Sequence, residues 1–198
     1  MSPNVAQQVR DRHLVIQLQQ GDLEALGALY DRHRQLVYRT ALGITADEEA
    51  AADLLQDVFL RLYRYARRID PDRPFEPLLY RVTTNLAYTW IRRRSVGVRI
   101  LREMGEWLIR DRRPTLHQMA EAGEAWDQVR RAISSLPLAQ RVVLVLHYLN
   151  DLSVSEIAEI LEVPEGTVKS RLHYGRRALK ATLGLGKDVL PEAFYELT

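Results

Sequence analysis

Along this 198-residue chain, apolar side chains recur at spacings of three and four almost throughout, and glycines and prolines fall where helices would end, so the pattern predicts an all-α protein. No stretch sustains the strict alternation of a half-buried strand. A first helix over about Val9–Gln20 would stop at Gly21, and Asp22 can cap a second that carries Leu26, Leu29, Tyr30, Leu36, Val37 and Leu42 to about Ile44. Thr45-Ala46-Asp47-Glu48 has the spacing of a capping box, in which hydroxyl and carboxylate satisfy free backbone N–H groups at a helix start. The third helix would then run to about Ile69. Two prolines and two aspartates in 70–74 predict a turn, and a fourth helix follows from about Phe75 to Arg94. These four helices would form one bundle over residues 1–95.

From Ser95 the periodicity loosens, interrupted by Gly97, Gly105 and Pro114, so residues 96–123 read as a linker. Within it Ile100, Leu101, Met104, Trp107 and Leu108 could line a short amphipathic helix, or simply pack on a neighbouring domain. A second domain is expected over 124–183, with one helix at about Ala125–Ser135 and another, opened by Pro137, at about Leu138–Asn150. Ser153-Val154-Ser155-Glu156 is a second capping box, starting a short helix that ends near Leu161. The last stretch, 184–198, holds two glycines and a proline and reads as a tail, with Leu190, Phe194, Tyr195 and Leu197 available to dock elsewhere. The expected fold is therefore two small helical domains joined by a linker, the C-terminal one a four-helix domain with a helix-turn-helix.

Composition narrows the chemistry. Hydrophobic residues at 46% and charged residues at 27% suit a soluble globular chain, and no apolar run approaches the roughly 18 residues that cross a bilayer. The N-terminus has neither the cationic start nor the apolar stretch of a signal peptide, which points to the cytoplasm, as does the absence of cysteine. Without cysteine there is no disulfide, thiol nucleophile or Cys-type zinc site, and the five histidines lack paired metal-ligand spacing, so neither metal nor cofactor is expected. Acidic clusters such as Asp47-Glu48-Glu49 sit at a helix start, where the helix dipole already accounts for them. No nucleophile, base and orienting group come together, and the chain does not read as an enzyme.

The net charge of +2 hides an asymmetry. Residues 22–57 hold eight acidic side chains against three basic ones, whereas residues 61–94 hold nine arginines against Asp70, Asp72 and Glu76. One domain thus offers an acidic surface and a basic one, and the basic one suits nucleic acid. The segment "VPEGTVKSRL" (163–172) adds a second basic surface. Pro164 suits the first turn of a helix, and Val168, Leu172, Gly175 and Leu179 form one stripe that packs inward. Lys169, Ser170, Arg171, His173, Tyr174, Arg176 and Arg177 are left on the outside. A capped helix, a tight turn and such a helix fit the DNA major groove, with hydroxyl, imidazole and phenol near base edges and cations on phosphates.

With these motifs in order, the chain resembles the extracytoplasmic-function (ECF) sigma factors, the small promoter-specificity subunits of bacterial RNA polymerase, over about residues 10–183. "DLLQDVFLRLYR" (53–64) is similar to the segment that docks on the polymerase clamp, and "PLLYRVTTNLAYTWIRRR" (77–94) to the helix that melts and reads the −10 element. "LPLAQRVVLVLHYLNDLSVSEIAEILEVPEGTVKSRL" (136–172) is similar to the domain that reads the −35 element. The resemblance implies core-polymerase contacts at Asp53, Gln56, Asp57 and Phe59, although Phe59 at helical spacing is equally a core side chain. It implies −10 DNA contacts at Arg81, Asn85, Arg92, Arg93 and Arg94, with a base unstacked between Asn85 and the 70–76 loop, and −35 contacts on the 169–177 surface. Tyr88 and Trp90 are further stacking candidates or core. Implied partners are the β′ clamp and β flap of core polymerase, promoter DNA and an anti-sigma factor, on the nucleoid. Leu78 stands where the family commonly has Trp, and His173-Tyr174-Gly175 where it has Arg-rich sequence. Two other readings remain: a dimeric helix-turn-helix regulator that binds duplex DNA unaided, and a helical enzyme acting on nucleic acid.

Overall fold

The computed structural model describes the backbone of residues 3–104 and 131–183 and the side chains of 6–94 and 131–183. It is all-α, in two helical domains. In the N-terminal bundle α1 (Pro3–Gln19) ends at Gly21, whose φ of +94° is the left-handed conformation that reverses the chain. α2 (Leu23–Thr45) starts on Asp22, whose carboxylate accepts from the backbone N–H of Glu24 at 2.8 Å. α2 is the central helix, packing on α1, on α3 (Glu48–Arg64) and on α4 (Phe75–Met104) through buried Leu29, Val37, Ala41 and Ile44. A 3₁₀ turn at Ala66–Arg68 and an irregular stretch connect α3 to α4.

Boundaries differ from expectation at several places, and α3 ends at Arg64, before the 3₁₀ turn, short of the expected Ile69. α1 begins at Pro3, before Val9, and α4 continues to Met104 beyond Arg94, into the expected linker. The predicted capping box at Thr45 is replaced by Asp47, whose carboxylate accepts from the Ala50 N–H at 3.0 Å. The reason is that α2 runs on to Thr45, whose hydroxyl donates to the Ala41 carbonyl of its own helix, and the chain turns at Ala46 with φ of 56°. Trp107, Leu108 and the tail candidates lie outside the described residues.

The C-terminal half enters as a helical stretch at 131–135. α5 (Leu138–Leu144) follows Pro137 and widens into a π turn over Val145–Leu149. α6 (Val154–Leu161) carries the capping box foreseen at Ser153 and Glu156, ends on left-handed Glu162, and gives way to α7 (Glu165–Leu183). The Ser153 hydrogen bonds hold the Glu156 carboxyl below its ordinary value. The inner stripe of α7 is Val168, Leu172, Gly175 and Leu179, all buried as the spacing predicts. A Cβ on Gly175 would come within 2.8 Å of Leu144 Cδ1, so the glycine lets α7 lie close on α5.

The two halves pack on each other. Gly43 of α2 meets the π turn, where an added Cβ would lie 3.0 Å from both Val145 Cγ1 and Leu149 Cδ2. Beside it the Thr40 hydroxyl donates to Asn150 Oδ1 at 3.2 Å. Arg141, 9% exposed, donates through Nη1 to the Ile44 carbonyl at 2.8 Å and through Nη2 to the carbonyls of Ser134 and Leu136. Its guanidinium therefore sits against the C-terminal end of α2, where the helix dipole is negative. Burial pushes its pKa down from the ordinary arginine value. Further out, Arg81 of α4 pairs with Glu162 at 2.9 Å and donates to the Glu159 carbonyl at 3.0 Å.

Candidate nucleic-acid and polymerase interfaces

α3 separates its residues by face. Leu54, Val58, Phe59 and Leu62 turn inward, while Asp53, Gln56 and Asp57 are exposed on the opposite side. Leu60 and Tyr63, at 49% and 47% exposure, continue that outer face at helical spacing, giving an acidic surface with an apolar margin. Phe59 does not belong to it. It is 5% exposed, with its ring 5.0 Å from that of Tyr30, so its expected contact role is corrected to core packing.

α4 has its polar residues on two faces. Thr83 and Thr84 are buried with their hydroxyls turned back to the carbonyls of Leu79 and Tyr80. Leu78, Val82 and Asn85 form another stripe, and with Arg61, Leu62, Tyr65 and Ile69 they line a cleft of about 170 Å³. Asn85 is exposed at its edge. The cleft thus sets Asn85 beside the end of α3 and the 3₁₀ turn, nearly three helical turns along α4 from its start at the 70–76 loop expected to face it. Its chemistry suits an unpaired base: apolar walls, a phenol ring, a guanidinium and a carboxamide that can both donate and accept.

The remaining basic residues of α4 are not equivalent. Arg92 and Arg93 are exposed. Arg94 is held, with Nη1 2.7 Å from Asp47 Oδ2 and its guanidinium 5.0 Å from the centre of the Trp90 ring. Burial tends to raise the Asp47 carboxyl, but hydrogen bonds from the backbone N–H groups of Ala50 and Glu49 and the Arg94 charge hold it below the ordinary value. Arg81 is engaged by α6 and its following turn. Tyr88 is half-buried, and burial pushes its phenol up despite the nearby charges of Arg171 and Arg92. Tyr88 and Trp90 both pack against the core, which accounts for the two rings without stacking on a base.

α7 presents the surface its sequence predicts. Lys169, Ser170, His173, Tyr174, Arg176 and Arg177 are exposed, and Arg171 is half-buried. Tyr174 is 56% exposed, with its ring 5.3 Å from that of His173. Lys169 leans on Glu165 at 3.2 Å, one turn earlier. Sequence reasoning misses the cleft partners Arg61 and Tyr65. Their signal is local: a tyrosine and an arginine near the end of α3, where the charge turns from acidic to basic. Among the described residues no group of three or more His, Cys, Asp or Glu could hold a metal, and no helix is long and apolar enough to cross a membrane.

Comparison with known proteins agrees with this layout. Residues 29–96 match the Sigma-70 region 2 family, and residues 126–179 match Sigma-70, region 4. The chain is 32% identical over 176 residues to the ECF RNA polymerase sigma factor SigW of Bacillus subtilis, spanning 84% of this chain and 93% of SigW. It is 35% identical over 161 residues to the ECF RNA polymerase sigma factor SigL of Mycobacterium tuberculosis, spanning 79% and 87%. Among solved structures the fold is shared with CnrH in complex with the cytosolic domain of CnrY, with TM-score 0.65, 24% identity, and coverage of 88% and 97%. It is likewise shared with RpoE in complex with the anti-sigma factor NepR from Bartonella quintana, with TM-score 0.65, 19% identity, and coverage of 78% and 93%.

Proposed function

The chain belongs to the ECF RNA polymerase sigma factors, which serve polymerase in transcription initiation, and from that premise we propose how its surfaces divide the work. Asp53, Gln56 and Asp57, with Leu60 and Tyr63 beside them, meet the β′ clamp of core polymerase. The exposed face of α7 reads the −35 element in the major groove, where Lys169, Arg171, Arg176 and Arg177 neutralise phosphates and Ser170, His173 and Tyr174 face base edges. Arg92, Arg93 and Arg94 follow the backbone near the −10 element, and the cleft at Asn85 accepts a base unstacked from it. Residues 1–95 and 124–183 act as the two promoter-reading units, the second also meeting the β flap, with 96–123 between them and 184–198 as a tail. The chain carries no chemistry of its own; the polymerase makes the transcript, in the cytoplasm on the nucleoid. A protein that plays the part NepR plays for RpoE, an anti-sigma factor, is the regulatory partner this reading expects.

The observation that carries the reading is the cleft. Extruding a base from the duplex costs a few kcal/mol, which a pocket that hydrogen-bonds its edge and covers its face offsets. Asn85 supplies the first and Tyr65 with Ile69 the second. The test combines the purified chain, bacterial core polymerase and a promoter with spaced −35 and −10 elements. The reading expects a stable complex and a promoter-directed transcript, and Asp53→Lys with Asp57→Lys weakens the complex about tenfold or more at unchanged melting temperature. A chain that forms no complex and instead binds a palindrome unaided sinks it.

A further inference from the structure

α1 lies outside the segment that matches Sigma-70 region 2, which begins at residue 29. It nevertheless touches the connection between α3 and α4 at two places and the first turn of α4 at a third. Gln7 Nε2 donates to Glu76 Oε1 at 2.8 Å, and Arg12 Nε to Asp72 Oδ1 at 2.7 Å. Both are exposed pairs of flexible side chains, and solvent screening leaves such contacts weak. Gln19 is different. It is half-buried, and its amide donates to main-chain oxygens, that of Ile69 at 2.7 Å and that of Ala66 at 3.2 Å.

Ala66 opens the 3₁₀ turn and its carbonyl also accepts from the Ile69 N–H at 3.0 Å, whereas Ile69 follows the turn and its carbonyl takes the shorter bond from Gln19. The side chains of Ile69 and Tyr65, one residue after the turn and one before it, are walls of the Asn85 cleft. The strut itself is fixed at its middle: Asp11, 3% exposed, accepts from Arg32 Nε at 2.9 Å and lies 3.1 Å from His33 Nε2. His33 in turn packs on Phe75 at the start of α4, ring centres 5.4 Å apart. α1, α2, the turn and α4 therefore form a closed frame around one wall of the cleft.

We propose that Gln19 is a positioning residue for base discrimination in the −10 cleft, setting the wall formed by Tyr65 and Ile69 by holding the main chain behind it. The inference rests on the reading of that cleft as a base site. A wall made of one short turn has little internal hydrogen bonding to fix it, and a recognition pocket works only when its walls stay within about 0.5 Å of the productive geometry. Without Gln19 the cleft would still admit a base but choose less well among the four.

The test is run on holoenzyme assembled from the full chain and core polymerase, transcribing a promoter library randomised through the −10 element. Asn85→Ala should flatten base preference at one position. Gln19→Met, similar in size but unable to donate, should lower preference at that same position about fivefold, in keeping with the penalty for a displaced recognition group. Binding to −35 duplex should stay within about twofold, as that surface is carried by α7 in the other domain. Gln19→Lys, whose ammonium can donate to the same carbonyls, should restore the preference. If Gln19→Met does not fold, Gln19→Ser, too short to span to either oxygen, takes its place. An unchanged preference profile, or transcript output falling equally for every base, overturns the proposal. If Asn85→Ala flattens no position, the cleft reading fails first and the proposal with it.

Discussion

At one end of the contact between the two domains, Arg141 is 9% exposed and hydrogen-bonds to the Ile44 carbonyl at the end of α2, with Gly43 and Thr40 beside it against the π turn. At the other end, the Arg81 and Glu162 side chains are 41% and 73% exposed, and the pair is open to salt and water. Both ends use an arginine, but with opposite consequences. A guanidinium buried among carbonyls has nowhere else to find acceptors, so the deep end fixes how the domains sit. An exposed ion pair holds little energy, so Arg81 is easily given up to another anion, and DNA phosphate is the anion its helix is proposed to meet. Under the proposed reading the domain contact and the −10 backbone compete for Arg81, whereas Arg141 is buried away from any DNA.

The largest effect is expected from Arg141→Met. Loss of charged donors to several buried carbonyls should lower stability by about 3 kcal/mol in urea unfolding. Energy transfer between labels on cysteines placed at exposed Glu24 and His173 should fall in the same variant; the chain has no other cysteine to confuse the labelling. Gly43→Leu comes next, since a side chain there must displace Val145 and Leu149; about 2 kcal/mol of overpacking is expected, with the same loss of transfer.

Asp11→Asn tests whether acid sensitivity lies in the bundle and not in the deep seam. Burial raises the Asp11 carboxyl, but His33 and Arg32 outweigh it and hold the pKa below its ordinary 3.8. A depressed carboxyl stabilises the fold above that value, and the contribution is lost as pH falls below it toward the folded-state pKa. Asn should therefore remove about 2 kcal/mol at neutral pH and flatten the stability profile below about pH 4, with the seam itself unaffected because carbonyls do not titrate. The smallest effect on stability should come from Arg81→Gln, a few tenths of a kcal/mol by thermal melting, accompanied by a shallower salt dependence of −10 DNA binding. If Arg81→Gln separates the labels as far as Arg141→Met does, the contrast between the two ends is wrong.

α7 was legible in the sequence because its signals are local. A 3.6-residue stripe, a capping box and a proline lie within about thirty residues; the stripe and the box survive in the structure, and Pro164 stands one residue earlier than expected, just before the helix that begins at Glu165. The seam was not legible. Thr40 and Asn150 are 110 residues apart and Arg141 and Ile44 are 97 apart, and no periodicity links a glycine in one helix to the π turn that leaves room for it. The Thr45 box failed for a related reason: the motif was present, but the preceding helix had already engaged its hydroxyl. Asn85 came from family resemblance, whereas its neighbours Arg61 and Tyr65 required the fold, because the cleft joins two helices through a turn whose path propensity does not fix.

Gly175 has one more consequence. It faces inward at the middle of α7, directly behind His173 and Tyr174, and works as the thinnest available shim between that helix and the domain beneath it. An alanine or serine in its place would lift the ridge by a few tenths of an ångström or tilt it about Leu172, changing how far both side chains reach without altering either one. On the proposed reading of α7 as the −35 helix, a promoter preference is open to retuning from the side of the helix turned away from the nucleic acid.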